Sequence, residues 1–329
     1  MAFLAVSLLV VIVAAVTAAF FALSRPTPPP SASIPHLSAS SSPSPSQQAL
    51  PALPPSALNV LVIGSDIRGD AAEAVQSQAM AGGVTDQRAD MIMLVHIPTD
   101  RHKVFGISIM RDNWVTIAGY GDSKINASLA LGGPQLVVDT VSSLLKVHID
   151  HYVMTDFDGF RALTDALGGI EVNVARPFTS TFDTHHTFTE GPNHLDGQAA
   201  LEFVRERYAF PEGDYQRVRD QQTFVRAVMT SLLTNGSARD PAHAIALITL
   251  VAPHLTVDPS LNLATMAALA YALRGADPQS SVFFTLPTAG TGTSPDGQSI
   301  VLPDYPGIAE VGAALATDSM DAYAAAHGL

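Results

Sequence analysis

Cysteine is absent, which removes disulfides, thiol nucleophiles and cysteine-held zinc and leaves the redox compartment undecided. Charge is sparse: only 14% of the residues are Asp, Glu, Lys or Arg, against about a quarter in ordinary soluble chains. Lysine is nearly missing, with 3 Lys against 14 Arg. Genome base composition produces such a bias, and so does phosphate recognition, which suits the planar guanidinium fork. A net charge of −13 argues against a cationic nucleic-acid binder, so no nucleic-acid partner is expected. Disorder is excluded as well. The 329 residues are 47% hydrophobic, enough to build a core for one large domain or two small ones.

What is present begins at the N-terminus. Residues 2–23 carry no charge and would reach about 33 Å as a helix, the thickness of a hydrocarbon core. The run is long for a signal peptide, and a basic n-region is lacking. Residues 1–25 are therefore expected to be a retained single-pass anchor. Arg25 is the only basic residue nearby, and taken literally it would put the following domain in the cytoplasm. Residues 26–55 hold ten Pro and eight Ser and no charge, a composition that cannot form a core. Residues 26–57 are expected to be a disordered tether.

From about residue 58 the pattern becomes that of a folded α/β layer structure. Apolar runs at 59–66, 90–98 and 103–110 are expected strands, the last two antiparallel across the PTDRH turn. Helical spacing covers 134–147, with Pro134 in the first turn. Asp158 is expected to cap the next helix, which Gly168 and Gly169 end. A strand at 170–174, helices at 196–207, 215–234 and 262–274 and a strand at 282–286 follow. The domain is expected to occupy 58–305, with an Ala-rich helical tail at 306–329.

Charged residues gather where strands end. Asp66 follows the first strand, Arg88 and Asp90 open the second, and Arg111 and Asp112 close the third. Strand ends of α/β sheets are where ligands bind. Arg205, Arg207, Arg217 and Arg219 add four guanidiniums within fifteen residues. Arg205 and Arg207 lie about 200° apart on a helix and cannot face one site unless the helix ends there. Arg217 and Gln221 share a face. Two readings fit: an Arg-rich exposed surface paired locally with Glu206, Glu212, Asp214 and Asp220, or an anion cradle beside Asp66 and Asp90 holding a divalent ion. His185 and His186 stand without companions, which gives zinc no support.

These residues fall in VLVIGSD (60–66), RADMIML (88–94), SIMRD (108–112), KINASLALGGP (124–134), HYVMTDFDGF (151–160), DALGGIEV (165–172), LDGQAALEFVRERY (195–208) and GDYQRVRDQQ (213–222). In this order and spacing they resemble the LytR-CpsA-Psr family of membrane-anchored cell-wall phosphotransferases, over about residues 59–304. The resemblance implies a mixed central β-sheet flanked by helices. It implies transfer of a glycopolymer, with one phosphate, from a polyprenyl-pyrophosphate carrier to peptidoglycan, on a single-pass cell-membrane protein with its catalytic domain outside the cell. Membrane lipid is then a partner. Asp66 and Asp90 correspond to magnesium-associated carboxylates. Arg88, Arg111, Arg205, Arg207 and Arg217 correspond to pyrophosphate-binding arginines with Gln221 beside them, and Arg111, Asp90, Arg88 and Arg205 are the expected catalytic set. The family usually has Pro where Met110 stands and often Arg where Asp220 stands. The segment between Asp66 and Arg88 is expected to be a mobile loop.

Fixed guanidiniums and Mg2+ would stabilise charge on a leaving phosphate. Asp90 or Asp66 either takes the acceptor hydroxyl's proton or only holds the metal; both roles stand open in the sequence. The helices at 134–147 and 215–234, with Phe157, Phe160 and Phe224, are expected either to line a prenyl pocket or to form ordinary core. The alternative function is a non-catalytic polyprenyl-phosphate binding protein of the envelope. A transcriptional regulator is disfavoured, because no helix-turn-helix is recognisable.

Overall fold

The computed structural model describes residues 51–65, 87–234 and 254–329. The expected anchor, most of the tether, Asp66 and the loop that follows it lie outside the described residues. Among the described residues no helix is long and apolar enough to cross a membrane.

The apolar runs become the central strands because they are buried on both faces. β1 (Leu58–Ser65), β2 (Ala89–Ile97) and β3 (Phe105–Ile109) are almost wholly buried, as continuous Val/Ile/Leu runs require. With β6 (His151–Thr155), β11 (Leu255–Val257) and β12 (Val282–Thr285) they form a six-stranded mixed sheet in the order β11-β6-β1-β2-β3-β12. β2 pairs antiparallel with both β1 and β3. β6 runs parallel to β1, and β12 parallel to β3. The C-terminal ends of β1, β3, β6 and β12 therefore share one edge, where β2 begins.

Alternation along the strands makes two cores. Val60, Val62, Met91, Met93 and Val95 face one side; Leu61, Ile63, Ile92 and Leu94 face the other. The first side is covered by α2 (Phe157–Ala166), α3 (Gly197–Arg205), α4 (Asp214–Thr234) and α5 (Leu263–Leu273). The second is covered by α1 (Ala127–Leu145), α6 (Tyr305–Ala316) and α7 (Met320–His327). The result is a helix–sheet–helix sandwich. Helices 134–147 and 215–234 thus cover opposite faces and cannot wall one prenyl pocket. Phe160 and Phe224 pack ring to ring at 5.2 Å inside the first core.

Local chemistry sets the helix ends. α1 breaks at Gly132 and Gly133, and Pro134 restarts it, because Gly133 takes φ +68°, which a side chain would resist. The cap of α2 is Asp156, whose carboxylate accepts from the Gly159 amide at 2.9 Å; Asp158 lies inside the first turn instead. Asp196 caps α3 in the same way. The C-terminal segment is two helices, separated where Asp318 adopts φ +52°. Asp318 then accepts from the Thr99 amide and meets the buried His96 ring at 3.1 Å, fastening the far end of the sheet.

Small hairpins decorate this frame, the first of them β4 (Trp114–Ile117) with β5 (Gly121–Lys124). β7 (Ile170–Val174) pairs with β10 (Gly191–Leu195), and β8 (Phe178–Thr179) with β9 (Thr187–Phe188). The loop between β8 and β9 is held on α3 by a buried carboxylate: Glu202 accepts from the Thr184 amide and hydroxyl, the His186 amide and Gln198. Burial alone would raise the Glu202 pKa, but these bonds bring it down to about 2.

α6 docks on α1 through Gly312, where an added Cβ would sit 2.1 Å from the Leu145 carbonyl oxygen. That atom is backbone and cannot swing away. Gly312→Ala should destabilise the domain by about 1–3 kcal/mol through overpacking, read as a lowered Tm in thermal denaturation. An unchanged Tm would mean that α6 does not belong to the cooperative core.

Candidate functional site

The sheet edge gathers polar groups from distant parts of the chain. β1 ends in a bulge at Gly64/Ser65, opposite Ala89. Asp90 follows Ala89, and Ile92 pairs with Ile109, so Asp90 and Arg111 meet just past the ladder's end. The Asn126 backbone ties them further: its amide donates to the Arg111 carbonyl and its carbonyl accepts from the Ala89 amide.

At the centre of the site is Asp214, the first residue of α4. Its Oδ2 lies 2.9 Å from Arg217 Nη2 and 3.2 Å from Arg111 Nε, and its Oδ1 lies 3.3 Å from Arg207 Nη1. Arg111 Nη1 reaches Asp90 Oδ1 at 2.5 Å. Among the described residues, three guanidiniums against the buried Asp90 and the half-buried Asp214 leave one net positive charge. Asp112 lies at 3.6 Å from Arg111 Nε but is itself neutralised by Lys124 at 3.2 Å. Arg217 is 1% exposed, yet its Nε and Nη1 have no hydrogen-bond partner among the described residues. Asp90 Oδ2 and Ser65 Oγ are likewise buried without one. Buried polar atoms of this kind are costly unless something meets them.

The electrostatics follow from that packing. Burial pulls the Arg217 pKa down, with help from Arg111, to about 10, so it stays charged at neutral pH. Burial opposes the charge on Arg111 too, but Asp214 and Asp90 overcome it and hold its pKa above the ordinary value. Burial would raise Asp214, yet Arg217, Arg111 and Arg207 pull it below normal. Asp90 goes the other way: its burial outweighs the pull of Arg111 and raises its pKa.

The expected site residues thus divide. Asp90, Arg111, Arg207 and Arg217 come together. α3 stops at Arg205, and Glu206 turns extended, so Arg205 and Arg207 take different acids. Arg205 Nη1 lies 3.1 Å from Asp183 Oδ2, and its guanidinium lies over Phe182 and Phe157, 4.3 and 5.0 Å from their ring centroids. Arg88 is exposed at the entrance to β2. Gln221 is buried, and its amide donates to the Val204 carbonyl at 3.3 Å, pinning the end of α3 to α4. Met110 packs with Val218 and Val301, seating the Arg111 turn on α4. Glu206 accepts from the Thr181, Arg207, Tyr208 and Ala209 amides instead of from an arginine.

Asp214 was legible only as a local partner of exposed arginines. Its signal is an acid at a helix start three residues before Arg217. Asp220 stays outside the cluster: Gln216 Nε2 donates to its Oδ1 at 2.8 Å, while burial pushes its pKa up to about 7.

Residues 35–316 match the LytR_cpsA_psr family. The chain is 28% identical over 280 residues to the cell wall biosynthesis protein LcpA of Corynebacterium glutamicum, covering 75% of this chain and 53% of LcpA. It is 32% identical over 215 residues to TagU of Enterococcus faecalis, a polyisoprenyl-teichoic acid–peptidoglycan teichoic acid transferase, covering 65% of each chain. The crystal structure of B. subtilis TagV superposes with a TM-score of 0.67 at 23% identity, over 81% of this chain and 98% of that one, a likeness of fold. The chain spans about half the length of the corynebacterial relatives it matches.

Two substitutions test this geometry. Asp214→Ala leaves the buried Arg217 uncompensated and should cost about 3–5 kcal/mol, measured by chemical denaturation; a loss under about 1 kcal/mol would demote Asp214 to a surface partner. Asp220 has a folded pKa raised above its unfolded value, so its contribution to stability is complete below about pH 4 and falls as pH rises toward 7. Asp220→Asn should therefore raise Tm at pH 8 and leave it unchanged at pH 4. An equal effect at both pH values would contradict the buried acid.

Proposed function

Because the chain belongs to the LytR-CpsA-Psr family, we propose that it is a cell-envelope transferase that moves a glycopolymer from a polyprenyl-pyrophosphate carrier to peptidoglycan. The observation that carries this reading is the convergence of Arg111, Arg207 and Arg217 on Asp214 at the sheet edge, with one net positive charge. The likeness to TagU, a polyisoprenyl-teichoic acid–peptidoglycan teichoic acid transferase, supports the same direction of transfer.

In the proposed reaction an acceptor hydroxyl oxygen attacks the sugar-bearing phosphorus. The bond from that phosphorus to the bridging oxygen breaks, the polyprenyl monophosphate leaves, and the glycopolymer stays on peptidoglycan through a phosphodiester. Negative charge grows on the bridging oxygen. The three guanidiniums, held by Asp214 and Asp90, receive that charge without reorganising. Arg207 and Arg111, whose side chains keep some exposure while Arg217 is buried, are the donors a phosphate oxygen would meet. The exposed Arg88 and the Asp183-paired Arg205 are the remaining expected phosphate ligands, and Gln221 holds the end of α3 through the Val204 carbonyl.

The donor set fits one divalent ion shared with substrate. Magnesium takes one or two protein carboxylates and completes its shell with phosphate oxygens and water. Asp90 Oδ2 is buried without a partner among the described residues, and Asp66 would supply the second carboxylate. Among the described residues no cluster of three or more His, Asp or Glu forms a protein-only cage. A bound Mg2+ would neutralise phosphate charge. One carboxylate of this pair, Asp90 or Asp66, accepts the hydroxyl proton or only holds the metal. Residues 1–25 anchor the domain, and the site faces the outside of the cell, where peptidoglycan lies.

Incubating the full-length protein with lipid-linked glycopolymer, peptidoglycan and Mg2+ tests this reading. Labelled polymer should join peptidoglycan, and Arg111→Ala should lower the rate at least about 10³-fold. Tight lipid binding with no product from the unsubstituted protein would favour the non-catalytic carrier instead.

A further inference from the structure

The charged cluster is assembled from two bodies. α4 carries Asp214 and Arg217, while Arg111 comes from the turn after β3. The 3.2 Å between Arg111 Nε and Asp214 Oδ2 therefore depends on where α4 sits along the sheet. Apolar contact does not fix that position sharply, because burial is non-directional. A slip of one residue along the helix axis moves every side chain by about 1.5 Å. Such a slip would carry this pair past hydrogen-bond reach.

A line of polar side chains on α4 supplies the missing direction. Tyr215, Gln222 and Arg226 lie within about 40° of one another round the helix. They meet the segment containing β12 in reverse chain order. The Tyr215 hydroxyl lies 3.2 Å from Thr288 Oγ1. Gln222 Nε2 donates to Thr285 Oγ1 at 3.3 Å and to Ser108 Oγ at 3.0 Å. Arg226 Nη1 donates to the Ser281 and Pro278 carbonyls at 2.8 and 3.2 Å. α4 is thus laced antiparallel to β12 at three points. Asp214 and Arg217 lie roughly 100° and 160° round the helix from Tyr215, so the laced line is not the one that bears the charged site.

Gln222 is the tie that reaches β3 as well. Ser108 and Thr285 are register partners on β3 and β12, so their hydroxyls stand side by side on the face toward α4. One amide nitrogen spans both strands. Ser108 is buried, and the chain reaches Arg111 three residues later. Apolar side chains would fill this layer without needing partners. A polar contact there instead selects one register, as single buried polar residues do between helices.

We propose that Gln222 is a positioning residue: with Tyr215 and Arg226 it locks α4 in one register on β3 and β12, and so sets Asp214 and Arg217 against Arg111. Its effect on catalysis rests on the proposed transfer; the register lock does not. A misplacement of about 1 Å in a catalytic site costs on the order of 10²-fold in rate.

Crystal structures and transfer kinetics of full-length variants test this together. Gln222→Leu removes the donor at similar volume. The Arg111 Nε–Asp214 Oδ2 distance in its structure should exceed about 4 Å. With lipid-linked glycopolymer, peptidoglycan and Mg2+, kcat should fall at least about tenfold while KM for the lipid-linked polymer changes less than about threefold. Ser108→Ala combined with Thr285→Val removes both acceptors and should reproduce both results. Adding Gln222→Leu to that pair should cost nothing more, because the same bonds are already broken. Thr285→Ser keeps a hydroxyl and should match the unsubstituted protein. Should Gln222→Leu not fold, Ser108→Ala, which deletes a single hydroxyl, should still lower kcat at least about threefold with KM unchanged. The proposal is overturned if the Arg111–Asp214 distance stays within about 3.5 Å in the folded variants, or if their Tm falls while kcat does not. An unsubstituted protein that transfers nothing would sink the transferase reading, and the distance would still decide the register lock.

Discussion

One carboxylate shared by three guanidiniums organises this protein's chemistry. Asp214 receives Arg217 from its own helix, Arg207 from the segment after α3, and Arg111 from the turn after β3. Burying Arg217 and Arg111 is expensive, and ion pairs inside proteins often fail to repay their own desolvation. Apolar residues would have filled the same space more favourably. Among the described residues the cluster carries one net positive charge and buried guanidinium nitrogens without hydrogen-bond partners, an arrangement an anion would complete. The same low-dielectric setting that makes the empty arrangement costly makes each contact to a phosphate strong.

The fold supplies the positions. Four strands end at one edge because β1, β3, β6 and β12 point the same way, and β2 starts there because it runs against its neighbours. Asp90 and Arg111 are consequences of that register. Helix termini supply the rest: α4 begins with Asp214, and α3 ends at Arg205. Gln221, bonded to the Val204 carbonyl, and Met110, packed on Val218, bind these termini to each other and to the sheet. They act on the site through others and need not touch a substrate.

The end of α3 is where two environments divide. Had the helix continued one more turn, Arg207 would have pointed away from Asp214. Glu206 leaves the helix in an extended conformation, with its own carboxylate occupied by four amides. Arg205 stays with Asp183, and Arg207 crosses to Asp214.

The amino-acid sequence by itself determined the elements. Apolar runs specified β1, β2 and β3, helical spacing specified the helices at 134–147 and 215–234, and ordered motifs pointed to the family and to Asp66, Arg88, Asp90, Arg111, Arg205, Arg207, Arg217 and Gln221. These are local properties of periodicity and residue type, readable without knowing what packs against what. Tertiary structure alone decided the rest: that Asp214 joins three arginines, that Arg205 leaves them for Asp183, that the helices at 134–147 and 215–234 lie on opposite faces of the sheet. Charge pairing and layer assignment depend on distances between residues up to a hundred positions apart. Such distances are set when the sheet closes and the helices choose a face, and linear spacing does not encode them.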